Sequence, residues 1–356
     1  MSNLRYKRIP LESLHVEVER TLFGTYTGTN EIHAIIHLTP ADEDPIANLM
    51  EAKMVLEQFV GARTLYGRLL VDTAQIIGPI SLAENVSTIG QKPLDGSPAA
   101  LWLWMVQGST NATYQHIFGR GESAPVTPPL LKHFKESLDA KGLSLSHHCL
   151  RTWFFVRDID NNYMEMVKVR KAFFEEEGLL PETHYISSTG IEGNPLCNED
   201  NVQLETYCID GIQDAQISYL KGSSHLNPTH EYGVTFERGT RIEYNDRCHL
   251  IISGTASIDN RGQILYPEDP GKQAQRMLEN VQVLLNEGGA SLRDLMHAIV
   301  YLRRDEDLPA IRQIIDAVLP DVPKVYLHAP VCRPGWLVEL EGIAAIPNRN
   351  DSFETF

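Results

Sequence analysis

The spacing of apolar residues is most regular in the last third of the chain. An apolar run from His249 to Ile258 predicts a strand. Asp269 can cap a helix that begins at Pro270 and ends before the pair Gly288-Gly289. The apolar residues of this helix recur at helical spacing: Met277, Leu278, Val281, Leu284 and Leu285. The pattern therefore indicates an amphipathic helix with one buried face and one solvent-exposed face.

The remaining elements complete a compact unit. They are a strand from Leu295 to Leu302, a second helix that starts at Asp305, and two strands, Val325 to Cys332 and Trp336 to Ile346. The second helix buries Leu308, Ile311, Ile314, Ile315 and Val318 and ends at Pro320. This order predicts an α/β (α+β) unit with two helices packed on one face of a mixed sheet.

A second copy of the pattern lies in the middle of the chain. Gly142-Leu-Ser-Leu and the segment from Arg151 to Asp160 align without gaps with Gly289-Ala-Ser-Leu and the segment from Ala298 to Asp307. A helix from Tyr163 to Glu177 and strands from His184 to Ile191 and from Gln203 to Ile209 are expected to complete this copy. Tandem units therefore make up the chain.

The first part of the chain gives a weaker version of the pattern. We predict weak strands in residues 1–30, strands at Glu31 to Leu38, Arg63 to Asp72 and Ala99 to Val106, a helix at Pro45 to Phe59, and a loop at Thr88 to Gly96. The helix is expected to bury Leu49, Met50, Met54, Val55 and Phe59.

The candidate linker is the segment Asp210 to Tyr232, which is rich in Gly, Ser, Asn and Pro. It divides the chain into a divergent N-terminal domain, residues 1–220, and a C-terminal domain, residues 221–356.

Composition and charge narrow the range of partners. The chain has 356 residues, 42% of them hydrophobic, and a formal net charge of −16. Phosphate binding needs a basic surface, so a nucleic-acid partner is disfavoured. The N-terminus lacks a hydrophobic leader, and the longest apolar runs are no longer than strands, so we expect a cytoplasmic protein with no membrane partner.

Cysteine spacing and motif content argue against metals and cofactors. The five cysteines are scattered and form no CxxC, which disfavours a disulfide framework or a zinc site. The sequence also lacks a Walker loop, GxGxxG, HExxH and GxSxG. We therefore expect neither a cofactor nor a metal.

Glu339 is the residue whose placement needs an explanation. It lies between Val338 and Leu340 in a strand that should be half buried, where an unpaired charge is costly. Glu341 shares its face, and Arg333 lies across a short turn. One interpretation is an ion pair at a sheet edge. The other is an acid kept partly neutral by apolar surroundings, ready to deliver a proton.

Several motifs of the last third resemble the RidA/YjgF family of small trimeric proteins. They are Ser253-Gly254, Gln273 and Gln275 with Asn280, Gly289-Ala-Ser-Leu-Arg-Asp294, and Leu337-Val-Glu-Leu-Glu-Gly-Ile-Ala344. The resemblance implies that the tandem units have the RidA/YjgF-like, chorismate-mutase-like fold.

A second resemblance extends further along the chain. Arg151-Thr-Trp153, Phe236-Glu-Arg-Gly239, Ser253-Gly-Thr-Ala-Ser-Ile258, Val331-Cys-Arg333 and Leu337-Val-Glu339 are similar to motifs of the chorismatases. These are two-domain RidA-like enzymes that act on chorismate. The resemblance implies a lyase or hydrolase that needs no cofactor and takes a small anionic substrate.

The chorismatase resemblance also implies roles for individual residues. Glu339 would protonate the enolpyruvyl ether, whose breakdown releases pyruvate. Arg238 and Arg151, with Arg333 as a weaker third, would bind the two carboxylates of chorismate. Each of these arginines could equally be a solvated side chain.

Cys332 and Gly239 are the residues that indicate which product is formed. A cysteine upstream of the acid, paired with a glycine after the Phe-x-Arg motif, is typical of the branch that makes 3-hydroxybenzoate rather than a dihydrodiol. Cys332 and Gly239 occupy these positions, which implies a catalytic role for Cys332 and a substrate-binding role for Gly239. As a small buried apolar residue, Cys332 would need no function.

Two other functions stay open. The chain could be a RidA-like deaminase of enamines or imines, with Lys324 in place of the arginine that the RidA family carries near the penultimate strand. It could also be a binding protein that kept the fold and lost the chemistry. Two units in one chain are compatible with a monomer or a homotrimer.

Overall fold

The computed structural model describes residues 3–39, 44–75 and 80–356. Its strands form three sheets, which we assign to an N-terminal unit (residues 3–107), a middle unit (115–210) and a C-terminal unit (217–347). The N-terminal unit contains β1 Leu4–Leu11, β2 Val16–Phe23, β3 Asn30–Leu38, α1 Pro45–Val60, β4 Ala62–Val71, β5 Val86–Gly90, β6 Lys92–Pro93 and β7 Ala99–Gln107.

The other two units follow along the chain. The middle unit contains β8 Gln115–Ala124, α2 Thr127–Asp139, α3 Leu145–His148, β9 Cys149–Val156, α4 Ile159–Glu176, β10 Ser187–Glu192 and β11 Val202–Asp210. The C-terminal unit contains β12 Ile217–Leu220, β13 Gly239–Glu243, β14 Arg247–Ala256, α5 Pro270–Glu287, β15 Leu295–Leu302, α6 Leu308–Val318, β16 Lys324–His328 and β17 Val338–Pro347.

The three sheets share one strand order. The N-terminal sheet runs β1-β2-β3-β7-β4-β5, and the C-terminal sheet runs β12-β13-β14-β17-β15-β16 before β6 adds to its edge. The middle sheet, β8-β11-β9-β10, repeats the last four positions of this order. The α/β fold class with mixed sheets is therefore confirmed, and the described chain holds three related sheets.

The sequence pattern predicts the elements of the C-terminal unit well, but the predicted burial of Val318 was wrong, because this last residue of α6 is 44% exposed. β15 has the predicted bounds, and α5 begins at Pro270 with the Asp269 carboxylate accepting a hydrogen bond from the Lys272 backbone N–H at 2.9 Å. The predicted apolar face of α5 is buried against the sheet. In the middle and C-terminal units two helices pack together, α2 with α4 and α5 with α6.

The N-terminal unit departs from the prediction at two residues of α1, which is the only α-helix among its described residues. The buried face of α1 runs through Leu49, Ala52 and Leu56, so Met54 lies across the helix from it and Phe59 falls in the last turn. Their exposed fractions, 52% and 75%, show that the prediction of burial for these two residues was wrong.

Two predicted irregular segments are also partly regular. Residues 88–96 were predicted as a loop, but β5 pairs in parallel with β4, and β6 pairs with β16 of the C-terminal unit. Backbone groups at a buried sheet edge need partners, and these short strands supply them. Within the candidate linker, β12 pairs with β13. The division at residue 220 follows β12 directly and stays a prediction.

Polar contacts join the units across buried interfaces. Between the N-terminal and middle units, Arg68 Nη2 lies 2.6 Å from Glu205 Oε2. Between the N-terminal and C-terminal units, Arg247 Nη1 lies 3.0 Å from Glu31 Oε2. In the part of the chain that the structure describes, every helix is too short or too polar to span a membrane.

Candidate active site

A pocket lies where the middle unit meets the C-terminal unit. The outer strand of the middle sheet, β10, lies against β14, because the Ser188 N–H donates to Ser253 Oγ and the Gly254 N–H donates to Thr189 Oγ1, both at 2.9 Å. Residues of β10, α4, β14 and the start of β17 surround roughly 520 Å³ of empty space, part of it open to solvent. The pocket is thus completed by two units of one chain.

Glu339 lines this pocket at the start of β17. Its carboxylate lies directly against the backbone of Gly254 on the neighbouring strand, because a Cβ built at Gly254 would approach Glu339 Oε1 to 2.2 Å. Any larger side chain at position 254 would displace the acid. Gly254 therefore holds the space in which the carboxyl group sits.

Glu341 lies on the same strand face but has a different environment. Arg151 Nη2 donates to its Oε2 at 2.6 Å, Trp153 Nε1 donates to its Oε1 at 2.9 Å, and the Thr189 hydroxyl also donates to Oε2. Arg68 of the N-terminal unit adds a longer contact of 3.5 Å. Both carboxylate oxygens of Glu341 therefore have hydrogen-bond donors.

Burial and the neighbouring Glu341 together determine the protonation state of Glu339. Burial raises the pKa of Glu339, and the nearby charge of Glu341 raises it further. Arg151 and Arg238 act in the opposite sense but do not cancel the effect, so the pKa is raised to about 8. Within the described residues Glu339 forms no salt bridge, whereas Glu341 forms two. Glu339 is therefore mostly protonated at neutral pH and can act as a proton donor.

Three arginines line the pocket with Glu339. Arg238 Nη2 donates to the Asn227 backbone oxygen at 3.0 Å, and Arg170 Nη1 lies 3.4 Å from Ser188 Oγ. Arg333 stacks over the Trp336 ring at 4.8 Å. Arg238 and Arg170 are nearly fully buried, with exposed fractions of 5% and 1%. Guanidinium groups in such a setting bind carboxylates strongly.

Cys332 contributes to the wall beside Glu339. Burial and the neighbouring Glu339 raise the pKa of its thiol to about 12, although a hydrogen bond with Tyr163 acts against this shift. A thiol that stays protonated is a poor nucleophile, so Cys332 acts through its size and polarity rather than as a thiolate. Val234 and Phe236 supply apolar lining.

The structure brings Glu339, Cys332, Arg238 and Arg333 together, but it places two other predicted site residues elsewhere. Arg151 is buried beside the pocket and is bonded to Glu341 and Thr189, at 2.6 and 2.5 Å. A Cβ at Gly239 would face Leu220 and the Ile251 backbone oxygen, both at 3.1 Å, so this residue points into the core. Neither residue lines the pocket.

Sequence reasoning missed Arg170 and Tyr163. Both lie on the buried face of α4, whose other members include Met166, Val167 and Phe174. An arginine at an apolar position of a helix needs a partner when it is buried, and this was the available signal.

Lys324, the candidate lysine of a deaminase, lies outside this pocket. Its backbone N–H donates to Glu19 Oε2 at 3.2 Å, in the contact between the C-terminal and N-terminal units. Among the described residues, no cluster of His, Cys, Asp and Glu side chains could hold a metal ion.

Known proteins resemble the chain over its C-terminal part and beyond. Residues 241–346 match the family described as Endoribonuclease L-PSP. A 3-hydroxybenzoate synthase of Streptomyces hygroscopicus is 38% identical over 104 residues, which are 26% of this chain and 30% of that protein. A chorismatase of the same organism is 31% identical over 222 residues, 55% of this chain and 61% of that protein. The chain thus spans less than two thirds of either relative.

A solved structure extends the likeness to the whole fold. The crystal structure of a chorismatase superimposes with a TM-score of 0.63 at 21% identity, covering 79% of this chain and 92% of that one. The chain is thus similar to the chorismatases in sequence and in fold, and its residues 241–346 match the Endoribonuclease L-PSP family.

Proposed function

We propose that the chain releases pyruvate from chorismate or a closely related enolpyruvyl compound. The observation that carries this proposal is Glu339, a buried acid whose pKa is raised to about 8, in a pocket that three arginines also line. Such a pocket offers a proton and binds anions at the same time. A small anionic substrate follows from this chemistry, and a cytoplasmic location stays a prediction.

Glu339 would deliver its proton to the terminal methylene carbon of the enolpyruvyl ether. The electron pair of the C=C bond takes the proton, and the ether carbon becomes an oxocarbenium centre. The C–O bond to the ring then breaks with its electron pair going to the oxygen, which releases pyruvate, while the neighbouring ring hydroxyl oxygen bonds to the ring carbon left behind and gives its proton to the Glu339 carboxylate. Opening of this three-membered ring, with loss of the ring proton and protonation of the oxygen, gives the aromatic product. Because the substrate is an anion, binding it near Glu339 would favour the protonated acid still more.

The two carboxylates of chorismate need two cationic anchors. We assign them to Arg238, which directly precedes β13 of the C-terminal unit, and Arg170 on α4 of the middle unit, both buried, with Arg333 as a third cation of the pocket. Arg151, a predicted anchor, takes a positioning role instead, because its guanidinium is bonded to Glu341. It thereby fixes the charge that raises the pKa of Glu339.

The product that we propose is 3-hydroxybenzoate. Chorismate has the same elemental composition as 3-hydroxybenzoate plus pyruvate, so this outcome consumes no water overall, whereas a dihydrodiol requires one water. Cys332 lies next to Glu339 in the wall of the pocket, where its bulk can limit the approach of water. Gly239, which follows Arg238, faces the core instead, where a Cβ would lie 3.1 Å from Leu220 and from the Ile251 backbone oxygen.

Pyruvate release from chorismate by the full chain tests the proposal. The wild type is compared with Glu339→Gln and with Glu306→Gln, the same change at an exposed position. Removal of a general acid costs typically a factor of about 100 to 10,000 in rate. We expect this loss in Glu339→Gln and wild-type activity in the control, with the aromatic product identified by mass spectrometry.

The possible outcomes separate the candidate functions. 3-Hydroxybenzoate supports the whole proposal, and a dihydrodiol supports the site but overturns the role of Cys332. A folded wild type that releases no pyruvate overturns the proposal. Turnover of imino acids would then indicate the deaminase, and ligand binding without turnover would indicate a non-catalytic binding protein.

A further inference from the structure

A second cleft separates the C-terminal unit from the N-terminal unit. Side chains of α6 and β16 line one wall, and side chains of β2 and the end of β3 line the other. The cleft holds roughly 1210 Å³ of empty space, part of it open to solvent. At its floor the Lys324 N–H donates to Glu19 Oε2 at 3.2 Å, and both residues are buried.

The second cleft occupies the same place in the repeated fold as the candidate active site. At the active site, β10 and α4 of one unit face β14 and the segment that leads into β13 of the next. At the second cleft, β16 and α6 face β2 and β3, which hold the same positions in the shared strand order. The two clefts are therefore built from corresponding elements.

The second cleft lacks the acid of the active site. Glu339 is the second residue of β17 and pairs with Tyr301, the penultimate residue of β15. Ala100 is the second residue of β7 and pairs with Leu70, the penultimate residue of β4. Alanine thus stands where the proton donor would be, so this cleft is suited to binding and not to protonation of an enol ether.

The charges in the second cleft are divided between its walls. Lys324 and Arg312 are the cations of the C-terminal wall, which also carries Asp316. Asp316 accepts a hydrogen bond from the Tyr326 hydroxyl at 2.7 Å and pairs with Lys324 at 3.5 Å, which leaves Arg312 as the cation of this wall without a carboxylate partner among the described residues. Arg312 stacks over the Tyr326 ring at 5.0 Å, and among the described residues it forms no salt bridge. The guanidinium therefore remains available for a carboxylate.

The N-terminal wall is predominantly acidic. Glu17 and Asp95 are partly exposed, with side-chain exposed fractions of 36% and 27%. Arg8 pairs with Glu17 at 3.3 Å and with Glu19, and His37 pairs with Asp95 at 3.3 Å. Three carboxylates against one permanent cation make this wall attractive to an ammonium group.

We propose that the second cleft binds an α-amino acid with an apolar side chain, without converting it. Its carboxylate meets Arg312, its ammonium group meets Asp95 and Glu17, and its side chain lies against Tyr326 and Leu38. The site is independent of the chemistry proposed for Glu339.

Isothermal titration calorimetry of the full chain with L-phenylalanine tests the site. Two analogues each lack one charge: 3-phenylpropionate has no ammonium group, and 2-phenylethylamine has no carboxylate. We expect phenylalanine to bind at least tenfold more tightly than either analogue. Arg312→Ala should weaken binding at least tenfold, whereas Arg293→Ala, the same change at an exposed arginine, and Glu339→Gln should leave it unchanged.

Three other results would contradict the proposal. Absence of heat with phenylalanine at millimolar concentration excludes the amino-acid site. Equal binding of 3-phenylpropionate indicates a simple anion site. Binding that Arg312→Ala leaves unchanged, or that Glu339→Gln abolishes, places the ligand in the candidate active site. Circular dichroism of every variant distinguishes loss of binding from loss of the fold.

Discussion

The C-terminal unit buries a glutamate in each of its contacts with the other two units, and the two acids behave in opposite ways. In the contact with the N-terminal unit, Glu31 accepts hydrogen bonds from His249 Nε2 at 2.6 Å and Arg247 Nη1 at 3.0 Å. Burial alone would raise the pKa of Glu31, but the charges and hydrogen bonds of His249 and His33 hold it well below the usual value. In the contact with the middle unit, the pKa of Glu339 is raised to about 8.

Burial is nearly equal at the two sites, so it does not explain the difference. The exposed fractions are 0% for Glu31 and 5% for Glu339. Glu31 has a cationic partner within hydrogen-bond distance, whereas near Glu339 Arg151 is bonded to Glu341 and Arg238 donates to the Asn227 backbone oxygen. The hydrogen-bonding and charged partners therefore determine whether a buried glutamate is ionised and stabilises the fold, or stays protonated and can donate its proton.

Removal of the charge at Glu31 should have the largest effect on stability. Glu31→Gln leaves Arg247 and His249 buried without their carboxylate, although Asp246 remains 2.9 Å from Arg247. Breaking a buried pair costs about 3 to 5 kcal/mol, and we expect the lower end of this range. Urea unfolding of wild type and variant measures the change in the free energy of unfolding. A loss below about 1 kcal/mol would contradict the ionic account of this contact.

A change at Gly254 should affect the rate more than the fold. In Gly254→Ala the new methyl group occupies the position of Glu339 Oε1, so the acid must turn away from the pocket. A misplacement of about 1 Å can reduce a rate about 100-fold. Pyruvate release and the melting temperature are measured together. Gly271→Ala is the matched control, because a Cβ there would come no closer than 3.4 Å to another residue. Unchanged activity in Gly254→Ala would show that the acid does not need this space.

The sequence predicts local features of the molecule better than contacts between units. The Asp269 cap, the bounds of β15 and the unusual burial of Glu339 all follow from neighbouring residues along the chain. The partner of Arg151 did not follow, because Glu341 lies in another unit and meets it only in the folded chain.

Prediction of the site was incomplete for the same reason. Arg170 enters the pocket because α4 packs beside β10, and Gly254 matters because β14 and β17 bring it against Glu339. Neither fact has a signature in the spacing of residues. Short strands such as β5 were missed because their pairing is decided by the sheet edge that they complete.

The smallest effect expected near neutral pH is that of Glu339→Gln on stability, and its dependence on pH makes it informative. Because the folded pKa of Glu339 lies near 8 and its ordinary value is 4.5, the folded chain retains a proton that the unfolded chain loses between these pH values. This acid therefore lowers stability progressively as the pH rises from about 4.5 to 8. Glutamine resembles the protonated acid in shape and cannot ionise. The variant should match the wild type within about 0.5 kcal/mol at pH 5 and exceed its stability at pH 8. Equal stabilities at both pH values, measured by urea unfolding in matched buffers, would place the pKa of Glu339 near its ordinary value.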